Sequence, residues 1–253
     1  DGRVAVAGNR GDIEFAWYSE PTTRYRHGVL GDAIEAGALR VRTTRGEILT
    51  YRLPSTEVFE DITPRIADLD GDGTNEVIAI LSSQSDGASV AVFGLVGSAF
   101  VKQAQSLFIG RANRWLNIAG IGHFAGTRSQ QIAIVETPHL AGTFKLFLFK
   151  PGKRQLSNVM RVPGFSNHEI GSRELRLSAI ARLDNDPLDD LIIPSLDRRA
   201  LYIVSATARG MKLLSRIDLP ARVNRAIAVT GEGESLELTV GLDDGKSYAL
   251  KQR

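Results

Sequence analysis

Three observations in the sequence predict an all-β fold. Six hairpins recur along the 253 residues, a further strand precedes five of them, and no helical periodicity of useful length appears anywhere. Repeats of three or four strands cannot bury a face alone, so they stack, and radial blades that protect their own edges make a β-propeller. Six blades is the count the hairpins give, with five or seven as alternatives, because the first repeat lacks an inner strand and the last lacks an outer one. Residues 1–253 are read as a single propeller domain. A pair of β-sandwiches would not explain six equivalent hairpins.

The first hairpin runs from Val6 through Arg10-Gly11-Asp12 to Ile13–Tyr18, and the second from Val41 through Arg45-Gly46-Glu47 to Ile48–Leu53. Both are an apolar strand, a polar Arg-Gly turn and an alternating strand. The pattern returns at Val77–Leu81 with Val90–Leu95, and at Ile132–Val135 with Phe144–Phe149. It returns again at Leu191–Ile193 with Leu201–Val204, and at Leu236–Leu242 with Tyr248–Leu250. Turn residues at 11, 46, 87, 142, 199 and 245 set the repeat. The preceding inner strands are Val29–Ile34, Arg65–Leu69, Ile118–Phe124, Leu177–Leu183 and Arg225–Val229.

Composition bounds the function. The net charge is only +2, and no Lys/Arg cluster interleaves with aromatics, which argues against a nucleic-acid partner. Cysteine is absent, so disulfides and thiolate metal sites are excluded. No apolar run approaches a membrane span, and the chain is expected to act as a monomer. A start at Asp1-Gly2 without Met fits a processed export signal or a trimmed chain equally well.

From the end of the inner strand Arg65–Leu69 to its hairpin runs Asp68-Leu69-Asp70-Gly71-Asp72-Gly73-Thr74-Asn75-Glu76. Closely spaced carboxylates repel one another unless a cation joins them. A hard ion such as Ca²⁺ takes six to eight oxygens, which a loop supplies at alternate positions. The expected ligands are Asp68, Asp70, Asp72 and Glu76, with the Thr74 carbonyl between them. Gly73 provides the sharp turn. An EF-hand would need a bidentate Glu at its twelfth position and helical flanks, whereas here that position is Ala79 and the flanks read as strands. Two copies of the loop are eroded. Arg182–Asp190 keeps Asp184, Asp186 and Asp190 but has Arg182 at the first ligand position, where its charge can replace calcium, so this second site is expected to be empty. His123–Gln131 has no carboxylate.

Ala67-Asp68-Leu69-Asp70-Gly71-Asp72-Gly73-Thr74-Asn75-Glu76-Val77 resembles the signature of FG-GAP/VCBS repeats, the calcium-looped blades also found in integrin α-subunit propellers. The wider chain is similar to bacterial VCBS repeat-containing proteins of undefined activity. The resemblance implies a propeller, calcium in the loop joining the first two strands of a blade, and a secreted or periplasmic setting. It implies no reaction, since one fold serves many functions.

Arg10-Gly11-Asp12 spells a tripeptide that some integrins bind, but its equivalence to Arg45-Gly46-Glu47 marks it as a hairpin turn. The loops that lead into the inner strands are a better candidate. Together with the hairpin turn at His139, they carry Arg26, His27, Arg114, Trp115, Asn167, His168 and Arg173, and propeller geometry should gather these on the face opposite the metal loop. Several arginines without matching carboxylates suit an anionic or carbohydrate-like ligand, and Trp115 offers a flat apolar wall. The bland reading is that they pair among themselves at blade joints. A metal held by His27, His139 and His168 is disfavoured, because no pair has ligand spacing. No nucleophile elbow, P-loop or dinucleotide fingerprint occurs. The reading adopted is a binding module, for a small molecule, glycan or protein. The alternative is a lyase or hydrolase using His and Arg of the same face.

Overall fold

The computed structural model describes residues 2–126, 128–184, 186–207, 209–231 and 235–251, the Lys251 side chain apart. No α-helix occurs among them, and so no helix long and apolar enough to cross a membrane. Cα packing divides the chain into two compact units. The first is Asp1–Leu116 with Phe147–Asn158, and the second is Asn117–Leu146 with Val159–Arg253.

Nine strands form one sheet: β1 (Ala5–Val6), β2 (Ile13–Thr22), β3 (Glu35–Thr43), β4 (Ile48–Arg52), β5 (Glu57–Phe59), β6 (Arg65–Ala67), β7 (Glu76–Ser83), β8 (Gly87–Val96) and β9 (Ala99–Gln105). Their order is β1-β2-β3-β5-β7-β8-β9, with β4 on β3 and β6 on β7. Period-two alternation explains the core. Leu39 and Val41 of β3, Val77, Ala79 and Leu81 of β7, and Ala91 and Phe93 of β8 project into one cluster. Phe93 is its hub, with ring centroids 4.9 Å from Tyr51 and 5.7 Å from Phe59.

Three further antiparallel sheets follow. β10 (Leu116–Gly122), β11 (Gln131–Glu136), β12 (Thr143–Leu148) and β13 (Ser157–Pro163) form one, in sequence order. β14 (Ala179–Ala181), β15 (Asp190–Pro194), β16 (Ala200–Thr207) and β17 (Gly210–Asp218) form the next, and β18 (Ala228–Thr230), β19 (Glu237–Gly241) and β20 (Ser247–Lys251) the last. β15 is buried on both faces. Its Leu191 and Ile193 join a cluster with Val135 and Phe144, while Ile192 joins another with Leu201 and Leu238. That is why it reads as an unbroken apolar run rather than an alternating one.

All six hairpins are present as antiparallel pairs. The inner strand expected at Val29–Ile34 is not a strand. Val29 and Leu30 are buried, but Gly28 and Gly31 have φ of 69° and 90° and Gly31 N bonds to Gly28 O, so the apolar pair sits in a buried turn. β2 instead runs on and pairs with β3 from Ile13↔Thr43 to Thr22↔Glu35, which joins the first two hairpins in one sheet. The other four inner strands are shorter or shifted, at Arg65–Ala67, Leu116–Gly122, Ala179–Ala181 and Ala228–Thr230.

Candidate functional site

The metal loop spans the connection from β6 to β7, closed by the Ala67↔Glu76 pair. Carboxylate oxygens of Asp68, Asp70 and Glu76 lie within 4.8 Å of one another, and they form the one such group of three among the described residues. The backbone of the loop folds onto these acids. Asp68 accepts Gly71 N at 2.8 Å, Asp72 N at 3.1 Å and Gly73 N at 2.9 Å. Gly73 has φ of 89°, the left-handed conformation its predicted turn requires. Glu76 is only 3% exposed and accepts Leu69 N at 2.8 Å. Burial pushes its carboxyl up to about 8, and the charges of Asp70, Asp72 and Asp68 add to the rise. Among the described residues no Lys, Arg or His forms an ion pair with the trio.

Crowded, uncompensated oxygen donors are what a hard cation such as Ca²⁺ fits, so the residues present suit the expected ion. Two of the five predicted ligands stand outside the trio. Asp72 accepts both Thr74 N and Thr74 Oγ1, at 2.7 and 2.6 Å, and these bonds hold its carboxyl below the usual range.

The eroded copy keeps the same hydrogen-bond frame. Leu183 N donates to Asp190 at 2.8 Å as Leu69 N does to Glu76, and Asp186 N and Leu188 N donate to Asp184 and Asp186. Its three acids do not converge as the first trio does. Arg182 pairs with Asp189 at 3.3 Å, outside the group of Asp184, Asp186 and Asp190 that it was expected to neutralise.

Asn75 ties the metal loop to the first hairpin turn. Its N donates to Asp12 Oδ1 at 2.8 Å and its Nδ2 to Ile13 O at 3.0 Å. A Cβ on Gly11 would sit 2.2 Å from Asn75 Nδ2. Arg10-Gly11-Asp12 is therefore a structural joint, with its acid already committed. Gly11→Ala should displace Asn75 and destabilise the protein by about 1–3 kcal/mol, the usual range for overpacking, read as a lower urea midpoint. An unchanged midpoint would show that the joint is slack.

The candidate loop residues collect into two groups, one in each unit. In the first, Glu60 is fully buried and accepts His27 Nδ1 at 2.7 Å and Ser82 Oγ at 2.6 Å. A carboxylate only accepts, so His27 carries its proton on Nδ1, and its Nε2 has no partner among the described residues. The loop from Asn113 to Trp115 braces this group. Asn113 N donates to Tyr25 Oη at 3.2 Å, and Trp115 Nε1 donates to Glu60 O at 3.0 Å. Burial, with Glu60 nearby, pushes the Tyr25 hydroxyl up to about 12. Trp115, at 2% exposure, is packing and not an open wall. Arg26 is exposed and Arg114 half-buried, and neither has an acidic partner among the described residues. Sequence reasoning missed Glu60 and Ser82; the signal available was an acidic pair, Glu60-Asp61, directly after an apolar strand.

In the second group, His168 Nε2 lies 2.9 Å from Ser172 O, and His139 Nε2 lies 2.9 Å from His168 Nδ1. A carbonyl can only accept, so His168 is protonated on Nε2 and receives the His139 N–H on Nδ1. Burial drives the His168 pKa down to about 4, and His139 and Arg198 add to the drop. The facing nitrogens are spent on each other, which leaves a poor pair of metal ligands. Asn167 is fully buried, and its backbone O accepts Asn117 Nδ2 at 3.1 Å. Arg173 is exposed. Two acids of this segment pair with other arginines, Glu169 with Arg198 and Glu174 with Arg176, and in the first unit Asp61 pairs with Arg65.

No protein-family model matches the chain, and no characterised protein matches it by sequence. Among solved structures it is similar to Sqt1 of Saccharomyces cerevisiae, which is WD40-propeller-like, with a TM-score of 0.50 and 13% identity over 95% of this chain. The exotype rhamnogalacturonan lyase YesX aligns at a TM-score of 0.47 and 13% identity over 96% of this chain. This chain spans 63% of the first structure and 55% of the second. Identity this low speaks only for architecture, and the likeness to Sqt1 together with the helix-free antiparallel sheets makes the fold all-β and propeller-like.

Proposed function

We propose that the chain is a calcium-stabilised β-propeller recognition module of the FG-GAP/VCBS kind, working in a periplasmic or secreted setting. The observation that carries this reading is the convergence of Asp68, Asp70 and the buried Glu76 without a basic partner among the described residues. Calcium would supply the positive charge that lets these carboxylates sit together, held by the trio with Asp72 and the Thr74 carbonyl as further donors. The recognition surface is the braced group around His27. Arg26 and Arg114 bring charge that no described acid answers, which suits an anionic or acidic-glycan ligand.

A second reading rests on one observation, the Glu60–His27 pair. A buried carboxylate that orients a histidine and stabilises its cation is a general-base arrangement. It would serve a lyase or hydrolase.

An array of acidic oligosaccharides, probed in millimolar calcium, separates the two. Binding by wild type that weakens about tenfold or more in Arg26→Ala/Arg114→Ala, with no product formed, supports the module. Product formation that His27→Gln abolishes supports the enzyme. Equal binding by wild type and the double arginine variant would remove this surface from the reading.

A further inference from the structure

We propose that a cleft of the second unit, between the β13–β14 connection and strands β15 to β17, binds a neutral saccharide. It belongs to a different unit from the His27 surface and does not rest on the reading given there. The cleft holds about 420 Å³ and is lined by Leu196, Asp197, Arg199, Tyr202, Arg216 and Asp218 among others. Small-molecule sites usually hold about 300–1,000 Å³. Strand register builds its floor. Tyr202 pairs with Arg216 and Ala200 with Asp218, so these side chains share one face of β16 and β17. Phe165, which bridges to Ser195, meets the Tyr202 ring edge to face, with centroids 5.8 Å apart. The Arg216 guanidinium stands 5.9 Å from the centroid of the same ring, and its Nε and Nη2 donate to Asp218 Oδ1 at 3.0 and 2.8 Å. Ring, guanidinium and carboxylate thus hold one another in place.

The turn from β15 to β16 makes the wall. Asp197 Oδ1 accepts Ser195 Oγ at 2.6 Å and Arg199 N at 3.1 Å, and these bonds hold its carboxyl below the usual range. Ser195 Oγ in turn accepts Ala200 N at 3.0 Å, so the acid is fixed before any ligand arrives. Asp197 and Asp218 each leave Oδ2, and Tyr202 its hydroxyl, without a hydrogen-bond partner among the described residues. Arg199 spends only Nη1, on Pro220 O at 3.3 Å. The charges select the ligand. Two carboxylates and two guanidiniums line the cleft, so an anion would meet both acids and a cation both arginines. A sugar hydroxyl donates and accepts at once. It can donate to the free Oδ2 atoms while accepting from arginine N–H, and the sugar's carbon face can lie on Tyr202 and the exposed Leu196. Folding does not demand this set, because Asp197, Arg199, Arg216 and Asp218 are all exposed, and exposed ion pairs add little stability.

The test is an array of neutral oligosaccharides, followed by titration of the tightest member into isotope-labelled protein watched by NMR. Binding should saturate, with amide shifts concentrated at Ser195–Tyr202 and Arg216–Asp218. Arg216→Ala and Asp218→Asn should each weaken it by about tenfold or more while the melting temperature stays near wild type. The same oligosaccharide carrying a uronic acid in place of one neutral sugar should bind this cleft more weakly, the reverse of the preference expected at the His27 surface. The proposal is overturned if no neutral member binds, if both variants bind as wild type does, or if the uronic acid form shifts the same amides at lower concentration. Shifts confined to the residues around His27 would also overturn it, while leaving the reading of that surface standing.

Discussion

Saturating calcium is expected to raise the melting temperature by about 5–10 °C, and Asp70→Ala is expected to remove that rise. A ligand that binds only the native state stabilises it by mass action, by about 2.7 kcal/mol when its concentration is 100 times the dissociation constant. In a chain of this length each kcal/mol moves the midpoint by about 2–4 °C. The charge geometry adds a sharper test. Asp70 lies within 4.8 Å of Asp68 and Glu76 at their ligand atoms, and both burial and the neighbouring charges of Asp72 and Asp68 raise its own carboxyl above the ordinary value. In a chelator the trio is under like-charge repulsion, so Asp70→Asn should melt at or above wild type. In calcium the order should reverse, because a neutral amide is the weaker ligand for a hard cation. Identical melting of wild type in chelator and in millimolar calcium would sink the metal reading. A drop for Asp70→Asn in both conditions would show that Asp70 serves only the loop backbone, through its bond to Asp72 N.

Much of this architecture was legible because its signals are local. A hairpin announces itself within about fifteen residues through a turn and two apolar runs, and β7 and β8 satisfied that pattern directly. The acid trio was legible for the same reason, since Asp68, Asp70 and Glu76 are neighbours in the chain. The departures all involve a third dimension. Val29 and Leu30 carried a true burial signal, but burial between two glycines of positive φ made a turn instead of a strand. Trp115 bonds to Glu60 O with its ring buried, and exposure of an aromatic cannot be read from its neighbours in sequence. Glu60 and Ser82 escaped notice because they meet across 22 residues, with no spacing motif to connect them. His139 and His168 were assigned to a common face. Their direct hydrogen bond follows only from the fold.

That hydrogen bond carries the second large expectation: the protein should lose stability as pH falls from about 6.5 to about 4, with His168 as a principal cause. Burial is the main force holding its pKa near 4 instead of the ordinary 6.5, opposed by its bond to Ser172 O and assisted by His139 and Arg198. In this window the unfolded chain takes up a proton at position 168 that the native chain refuses. The unfolded state therefore binds more protons, and stability rises with pH. The contribution is fully present above pH 6.5 and is lost as pH falls towards the folded value, by up to roughly 3 kcal/mol. Protonation also has a structural meaning. An imidazolium at His168 has no lone pair on Nδ1 to receive the His139 N–H, so the two donors would face each other at the present 2.9 Å. His168→Gln keeps an acceptor and a donor but cannot titrate. It should cost about 1–3 kcal/mol at neutral pH through imperfect replacement of two buried hydrogen bonds. Its urea-derived stability should then fall less steeply than wild type between pH 6.5 and 4. Reading the difference between the two proteins cancels the titration of groups that do not interact with His168. Parallel stability curves for wild type and variant would mean that His168 is protonated as readily in the fold as outside it.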